Sequence, residues 1–235
     1  RHYLIVDLLP LRDGSGGTRA VSCTVQDITA RKLTEQRLAV RAAVAEVLGT
    51  VRDLDAEMPA VLDAFERILG TVIGEYWTLD PARGGLSCKV FRCSDRFGDR
   101  EAIRRYFDDR LFAPGEGLPG TVWIEGHARR LIDIRHDTSS ARTLEARELG
   151  LRTGLGLPIV LDGRPIGVIT LFLDERLATD AHLLDELEQI GRDIGECERR
   201  LRDARALEQA RAAAEQANRS KSDFLANVSH ELRSP

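Results

Sequence analysis

Polar and apolar positions near the start of the chain alternate with a period of two. Val21, Cys23 and Val25 stand against Ser22, Thr24 and Gln26, after an apolar run from Tyr3 to Leu11 and a turn R-D-G-S-G-G at Arg12 to Gly17. This predicts a hairpin over residues 1–29 with one buried face. The period then lengthens. Leu33, Val40, Val44, Val47 and Val51 recur near heptad spacing, which predicts a connecting helix (Thr34 to Leu48) that pairs with a partner. A second helix, Leu54 to Leu69, gathers Met58, Val61, Leu62, Phe65, Ile68 and Leu69 on one side. Strand-like alternation returns at Thr71 to Leu79 and Leu86 to Cys93, joined by D-P-A-R-G-G. A polar helical piece (Asp99 to Asp109) and a glycine-rich stretch (Ala113 to Gly126) precede strands at Arg130 to Ile134, Gly154 to Leu161 and Pro165 to Leu173. From Asp180 onward the chain reads as one long helix. Leu183, Leu187, Ile190, Ile194, Cys197, Leu201 and Ala204 alternate four and three residues apart, a coiled-coil seam that predicts a parallel dimer. Leu207, Ala210, Ala214, Ala217, Phe224 and Val228 keep the spacing, but Leu207 comes one residue early, a break that strains one continuous supercoil. Helices outside and a hairpin-built antiparallel sheet between them make the fold class α+β.

Composition narrows the function classes. At 235 residues and 43% hydrophobic content the chain can bury a substantial core. No apolar run approaches the roughly 18 residues of a membrane span, and no basic-then-apolar leader opens the sequence. A net charge of −4, with 31% charged residues of mixed sign, offers no one-signed face, so no nucleic-acid partner is expected. Cys23, Cys88, Cys93 and Cys197 are scattered without zinc spacing, which suits a reduced cytosol. The expected location is cytoplasmic, while segments outside these residues could still carry a membrane anchor.

The most informative chemistry lies in the last fourteen residues, S-D-F-L-A-N-V-S-H-E-L-R-S-P, Ser222 to Pro235. On a helix, Phe224, Leu225, Val228 and Leu232 gather within roughly 100° and His230 falls opposite them, with Asn227 and Ser234 one turn away. Neutral imidazole is a nucleophile near neutral pH, and Glu231 beside it is a carboxylate able to take or orient the ring proton while the other nitrogen attacks phosphorus. On geometry alone an ordinary surface histidine is the better reading. The string F-L-A-N-V-S-H-E-L-R-S-P, however, resembles the H-box of sensor histidine kinases, whose usual form ends H-E-L-R-T-P. That resemblance implies that His230 is the phosphorylated residue, that Glu231 is its acid/base helper, and that Ser234 stands where threonine is common. Pro235 would kink the helix just past the site.

Two further stretches carry resemblances. V-Q-D-I-T-A-R-K, Val25 to Lys32, is similar to the close of a PAS domain, where a D-I-T step hands the last strand to an exit helix; the plainer reading is an edge hairpin of the following domain. G-E-G-L-P-G-T-V-W, R-R-L-I-D-I and G-L-G-L-P-I-V-L-D-G-R-P-I-G-V-I-T-L-F resemble a GAF domain of bacterial sensor kinases over about Leu38 to Leu201. G-E-G-L-P-G lacks the lysine and spacing of a phosphate loop, so its glycines are assigned to turn geometry and to close packing of Trp123. GAF folds use the space between sheet and loops as a ligand cavity, which implies Trp77, Phe91, Trp123 and the Gly154 to Leu157 segment, Leu155 included, as its lining. No metal site is expected: His127 and His136 read as surface residues and Cys88 and Cys93 as ordinary strand cysteines.

These expectations assemble into the end of a PAS domain (1–32), a connecting helix (33–52), a GAF domain (38–201), a signalling coiled-coil helix (180–220) and the start of a dimerisation and phosphoacceptor domain (221–235). The implied protein is a two-component sensor histidine kinase, homodimeric, whose GAF domain regulates phosphorylation of His230 by a downstream ATP-binding domain, with transfer onward to an aspartate of a response regulator. ATP and Mg would serve that full-length enzyme. These residues alone hold no cofactor and should be inactive, and an unknown small molecule is a candidate for the GAF cavity. The alternative is a ligand-binding GAF module that controls another output, such as a cyclic-nucleotide enzyme.

Overall fold

The computed structural model describes residues 3–12, 16–95, 110–134, 149–174 and 181–231, with side chains given up to residue 220. Two antiparallel strands, β1 (Leu4–Arg12) and β2 (Thr18–Asp27), open the chain and lead into helix α1 (Thr29–Thr50). The D-I-T step has a mechanical role: Asp27 Oδ1 accepts a hydrogen bond from Thr29 N, and Thr29 Oγ1 accepts one from Tyr3 N, so the start of α1 is tied to both strands. The expected apolar face is present, pairing Val6 with Val25, Leu8 with Cys23 and Pro10 with Val21. It is not buried. Leu4, Val6, Leu8, Val21 and Val25 are each 53–63% exposed, because no described element lies across the hairpin.

Helix α2 (Leu54–Leu69) follows α1 and has the range its apolar spacing predicts. Asp53 caps its start by accepting from Asp55 N, and Gly70 ends it in the left-handed region (φ 72°), donating to Glu66 O. Strands β3 (Ile73–Asp80), β4 (Gly85–Cys93), β5 (Leu111–Phe112), β6 (Arg129–Leu131), β7 (Thr153–Leu161) and β8 (Arg164–Leu173) form one antiparallel sheet in the order β5-β4-β3-β8-β7-β6. Helix α3 (Gly117–Glu125) lies between β5 and β6, and α4 (Ala181–Glu231) closes the chain as one unbroken helix of 51 residues. The architecture is a mixed α+β fold, a curled antiparallel sheet with flanking helices. Strand β6 is shorter than the expected Arg130 to Ile134, and the helical piece at Asp99 to Asp109 lies outside the described residues.

Because strand side chains alternate faces, the sheet carries two separate cores. On one face Tyr76, Leu155, Leu157, Ile159, Ile169 and Leu171 pack under α1, α2 and α4. On the other Ile73, Trp77, Leu86, Val168 and Phe172 pack under α3 and the connecting loops. The helical face corrects two expectations. Val40, Val44 and Leu48 of α1, and Leu183, Leu187, Ile190, Ile194 and Cys197 of α4, are all buried within this single chain. Their heptad spacing answers to the chain's own sheet and helices, since a buried stripe needs period 3.5–3.6 whatever covers it.

Candidate functional site

Strand β3 places alternate residues on opposite faces: Ile73, Glu75 and Trp77 face the loops, while Gly74 and Tyr76 face the helices. Trp77 is fully buried and meets Phe112 edge-on, with centroids 5.0 Å apart and ring planes at 83°. Its Nε1 donates to Glu75 Oε2 (3.0 Å) and to Thr170 Oγ1 (3.1 Å), and the Thr170 hydroxyl donates to the same Glu75 oxygen at 2.5 Å. Glu75 and Thr170 are themselves fully buried. Taking a carboxylate out of water costs several kcal/mol unless donors replace the water, and here two donors converge on one oxygen. The result is a polar centre set in an apolar layer on the loop side of the sheet. Sequence reasoning missed both residues. The signal was present in Ile73-Gly74-Glu75-Tyr76-Trp77, where a glutamate occupies an inward position of an otherwise apolar strand, a placement acids rarely take without partners.

Of the expected cavity residues, Trp77, Phe91 and Trp123 come together on this face, Phe91 and Trp123 half-buried at its border. Leu155 does not join them. It pairs with Leu171 and is buried on the helical face, because in β7 it is Gly154 and Gly156 that point toward the loops. A Cβ on Gly156 would come 2.7 Å from Val122 and 3.1 Å from Leu118, and one on Gly154 would come 3.4 Å from Leu118. These glycines therefore seat α3 against the sheet. The glycines of Ala113 to Gly126 serve the turn, as expected: Gly115 (φ 84°) and Gly117 (φ 58°) take left-handed conformations, and a side chain on Gly120 would overlap the Ala113 carbonyl. The residues packed by this turn are Leu118 and Val122 rather than Trp123, which is only half-buried.

His127 is 76% exposed, beside Glu188 (Nδ1 to Oε1, 3.5 Å), and His136 lies outside the described residues. Cys88 is half-buried and Cys93 is buried in the loop-side core. Among the described residues no group of His, Cys, Asp and Glu could hold a metal ion. At the far end of the chain, His230 and Glu231 lie on α4, whose helical backbone continues to Glu231. Ser234 and Pro235 lie outside the described residues.

An antiparallel sheet with a terminal helix on one face and a loop-covered polar centre on the other is a mixed α+β fold of the sensory-domain class. The chain belongs to the GAF domain family, whose model matches residues 51–197. Solved structures agree on the fold. Free methionine-R-sulfoxide reductase from Neisseria meningitidis, in complex with its substrate, is similar with a TM-score of 0.58 at 16% identity, covering 72% of this chain and 91% of that one. The GAF domain of A. Aeolicus nlh2 in an inactive state gives 0.54 at 19%, covering 74% and 99%. The GAF domain of a phosphoenolpyruvate-protein phosphotransferase from Coxiella burnetii gives 0.55 at 16%, covering 73% and 98%. No curated protein sequence matches the chain. No helix among the described residues is long and apolar enough to cross a membrane.

Proposed function

We propose that this chain is the sensory and dimerising part of a two-component sensor histidine kinase, in which the GAF domain regulates phosphorylation of His230. The observation that carries the reading is the continuity of α4. The helix whose Leu183 to Cys197 stripe is buried in the GAF core runs without interruption into F-L-A-N-V-S-H-E, so sensor and phosphoacceptor share one rigid element. From Cys197 to His230 is 33 residues, roughly 50 Å at 1.5 Å per residue. Phosphate would come from Mg-ATP bound to a catalytic domain outside these residues. His230 attacks the γ-phosphorus, the bond to the β–γ bridging oxygen breaks and ADP leaves, and Glu231 takes the ring proton. The phosphoryl group then passes to an aspartate of a response regulator as the N–P bond breaks and His230 is freed.

The same reading treats the β1–β2 hairpin as the close of a PAS domain, since its uncovered apolar face is that of a strand pair belonging to a larger sheet. It treats the chain as a homodimer. With the first stripe of α4 committed to its own domain, pairing falls to the exposed stripe of Leu207, Ala210, Ala214 and Ala217. The loop-side layer around Glu75, Thr170 and Trp77 is the proposed seat of a small molecule.

The test is acid-labile, base-stable phosphate formed when the chain is supplied with a histidine-kinase catalytic domain and Mg-ATP. Wild type should label and His230→Gln should not; equal labelling of the two ends the assignment. Ser234→Ala should leave that labelling largely intact and slow hydrolysis of the phosphorylated regulator, because a hydroxyl one turn from the histidine orients water but takes no part in attack.

A further inference from the structure

Three tight contacts link the loop side of the sheet to α4. The first is a tether: at the end of α3 the chain turns through Gly126 (φ 68°), and Ala128 N donates to Glu188 Oε1 of α4 at 2.9 Å. The Glu188 carboxylate is three-quarters covered and also faces Arg192 (3.6 Å), which holds it in place. The second is the seat of α3 on β7, where Gly154 and Gly156 leave no room for a side chain beneath Leu118 and Val122. The third is the seat of α4 on the same strand. Side chains on Gly191 and Gly195 would overlap the carbonyl oxygens of Pro158 and Val160, so helix backbone rests directly on strand backbone. Such contacts leave no soft layer in which a displacement could be absorbed, because close-packed interiors transmit strain.

We propose that α3 and the sheet-seated half of α4 move as one body, so that a displacement of α3 on the loop side is delivered mechanically to α4 through Glu188 and β7. Its regulatory meaning rests on the reading of α4 as the output helix. The coupling does not, and it is measured without ATP.

The experiment places spin labels on the complete 235-residue chain, diluted with unlabelled chain, at Leu79 paired with Ile124 of α3 and, separately, at Leu79 paired with Leu207 of α4. All three positions are exposed. Gly156→Ala, and Gly156→Val as the stronger wedge, push α3 outward against Val122. The expected result is a shift of about 1 Å in both distances, the shortfall between a 2.7 Å approach and ordinary contact. Adding Glu188→Ala should reduce the Leu207 shift by at least half and leave the Ile124 shift in place, while Glu188→Gln, which keeps the acceptor, should preserve both. A Leu207 distance that stays at its wild-type value in both folded Gly156 variants overturns the proposal, as does a Leu207 shift that Glu188→Ala leaves unchanged. Equal labelling of wild type and His230→Gln in the assay above would remove the kinase reading and leave this coupling standing.

Discussion

The two halves of α4 carry nearly the same spacing of apolar residues and have opposite fates. From Leu183 to Cys197 the stripe is buried against β7, α1 and α2, whereas from Arg202 to Ser220 every residue is exposed. The second stripe begins one residue early, and one residue is about 100° of rotation around a helix. The offset therefore lies between a face that meets the chain's own sheet and a face with no partner among the described residues, and the break in phase need not strain any supercoil. Heptad spacing reports that a stripe is to be covered. It does not report what covers it.

The sharpest way to break this comparison is Gly195→Ala. Helix propensity alone favours alanine by about 1 kcal/mol, but the added methyl overlaps the Val160 carbonyl and must lift α4 from β7. A net loss of about 3 kcal/mol in urea unfolding is expected; a neutral result would mean that α4 is not seated as described.

Ile194→Ala and Leu207→Ala test the two stripes directly. Ile194 is fully buried and its truncation should cost roughly 2–4 kcal/mol, while Leu207 is 73% exposed and its truncation should change the stability of the single chain by no more than about 0.5 kcal/mol. If pairing uses the second stripe, only Leu207→Ala should also weaken self-association in sedimentation velocity. Equal unfolding costs would erase the distinction between the halves.

A pH scan sharpens the boundary where the seated half ends. Tyr76 reaches across Gly167 toward Asp55 of α2 and toward Glu198 and Arg202 of α4. Burial first, and then the Asp55 carboxylate, push its hydroxyl well above its ordinary value. The folded state therefore holds the phenol proton more tightly than the unfolded chain. This contribution to stability is complete below about pH 10 and is lost as pH rises beyond it. The Cys197 thiol, raised chiefly by burial, acts in the same direction. Tyr76→Phe keeps Cys197, so its shallower decline in stability above pH 10 isolates the tyrosine, and parallel declines would contradict the placement. The smallest effect belongs to Arg205, whose Nη2 donates to Arg52 O at 2.9 Å in an exposed position. Arg205→Ala should cost no more than about 0.5 kcal/mol, with faster amide exchange confined to the turn of α4 around it.

Much of the fold was legible in the residues themselves. Helix α2 follows from its apolar spacing with its limits set by Asp53 and Gly70, and the β3–β4 and β7–β8 hairpins follow from period-two runs broken by D-P-A-R-G-G and D-G-R-P. These are local decisions, fixed by propensity and turn chemistry within a few residues. The proposed role of His230 rests on sequence for a different reason: the residues it invokes are consecutive along one helix. The loop-side centre was not, because Glu75 and Thr170 are 95 residues apart and meet only when β3 pairs with β8. Leu155 was misplaced toward the cavity because apolar character alone does not say which face of a two-sided sheet a residue will occupy; the register of β7 decides that. The stripes of α1 and α4 show the same limit, since periodicity sets which residues share a face while the packing of distant elements sets what that face meets. Gly191 and Gly195 carry the lesson furthest. In sequence they are two residues that weaken a helix, and only the carbonyls of Pro158 and Val160, more than thirty residues away, make them the places where that helix can touch the sheet.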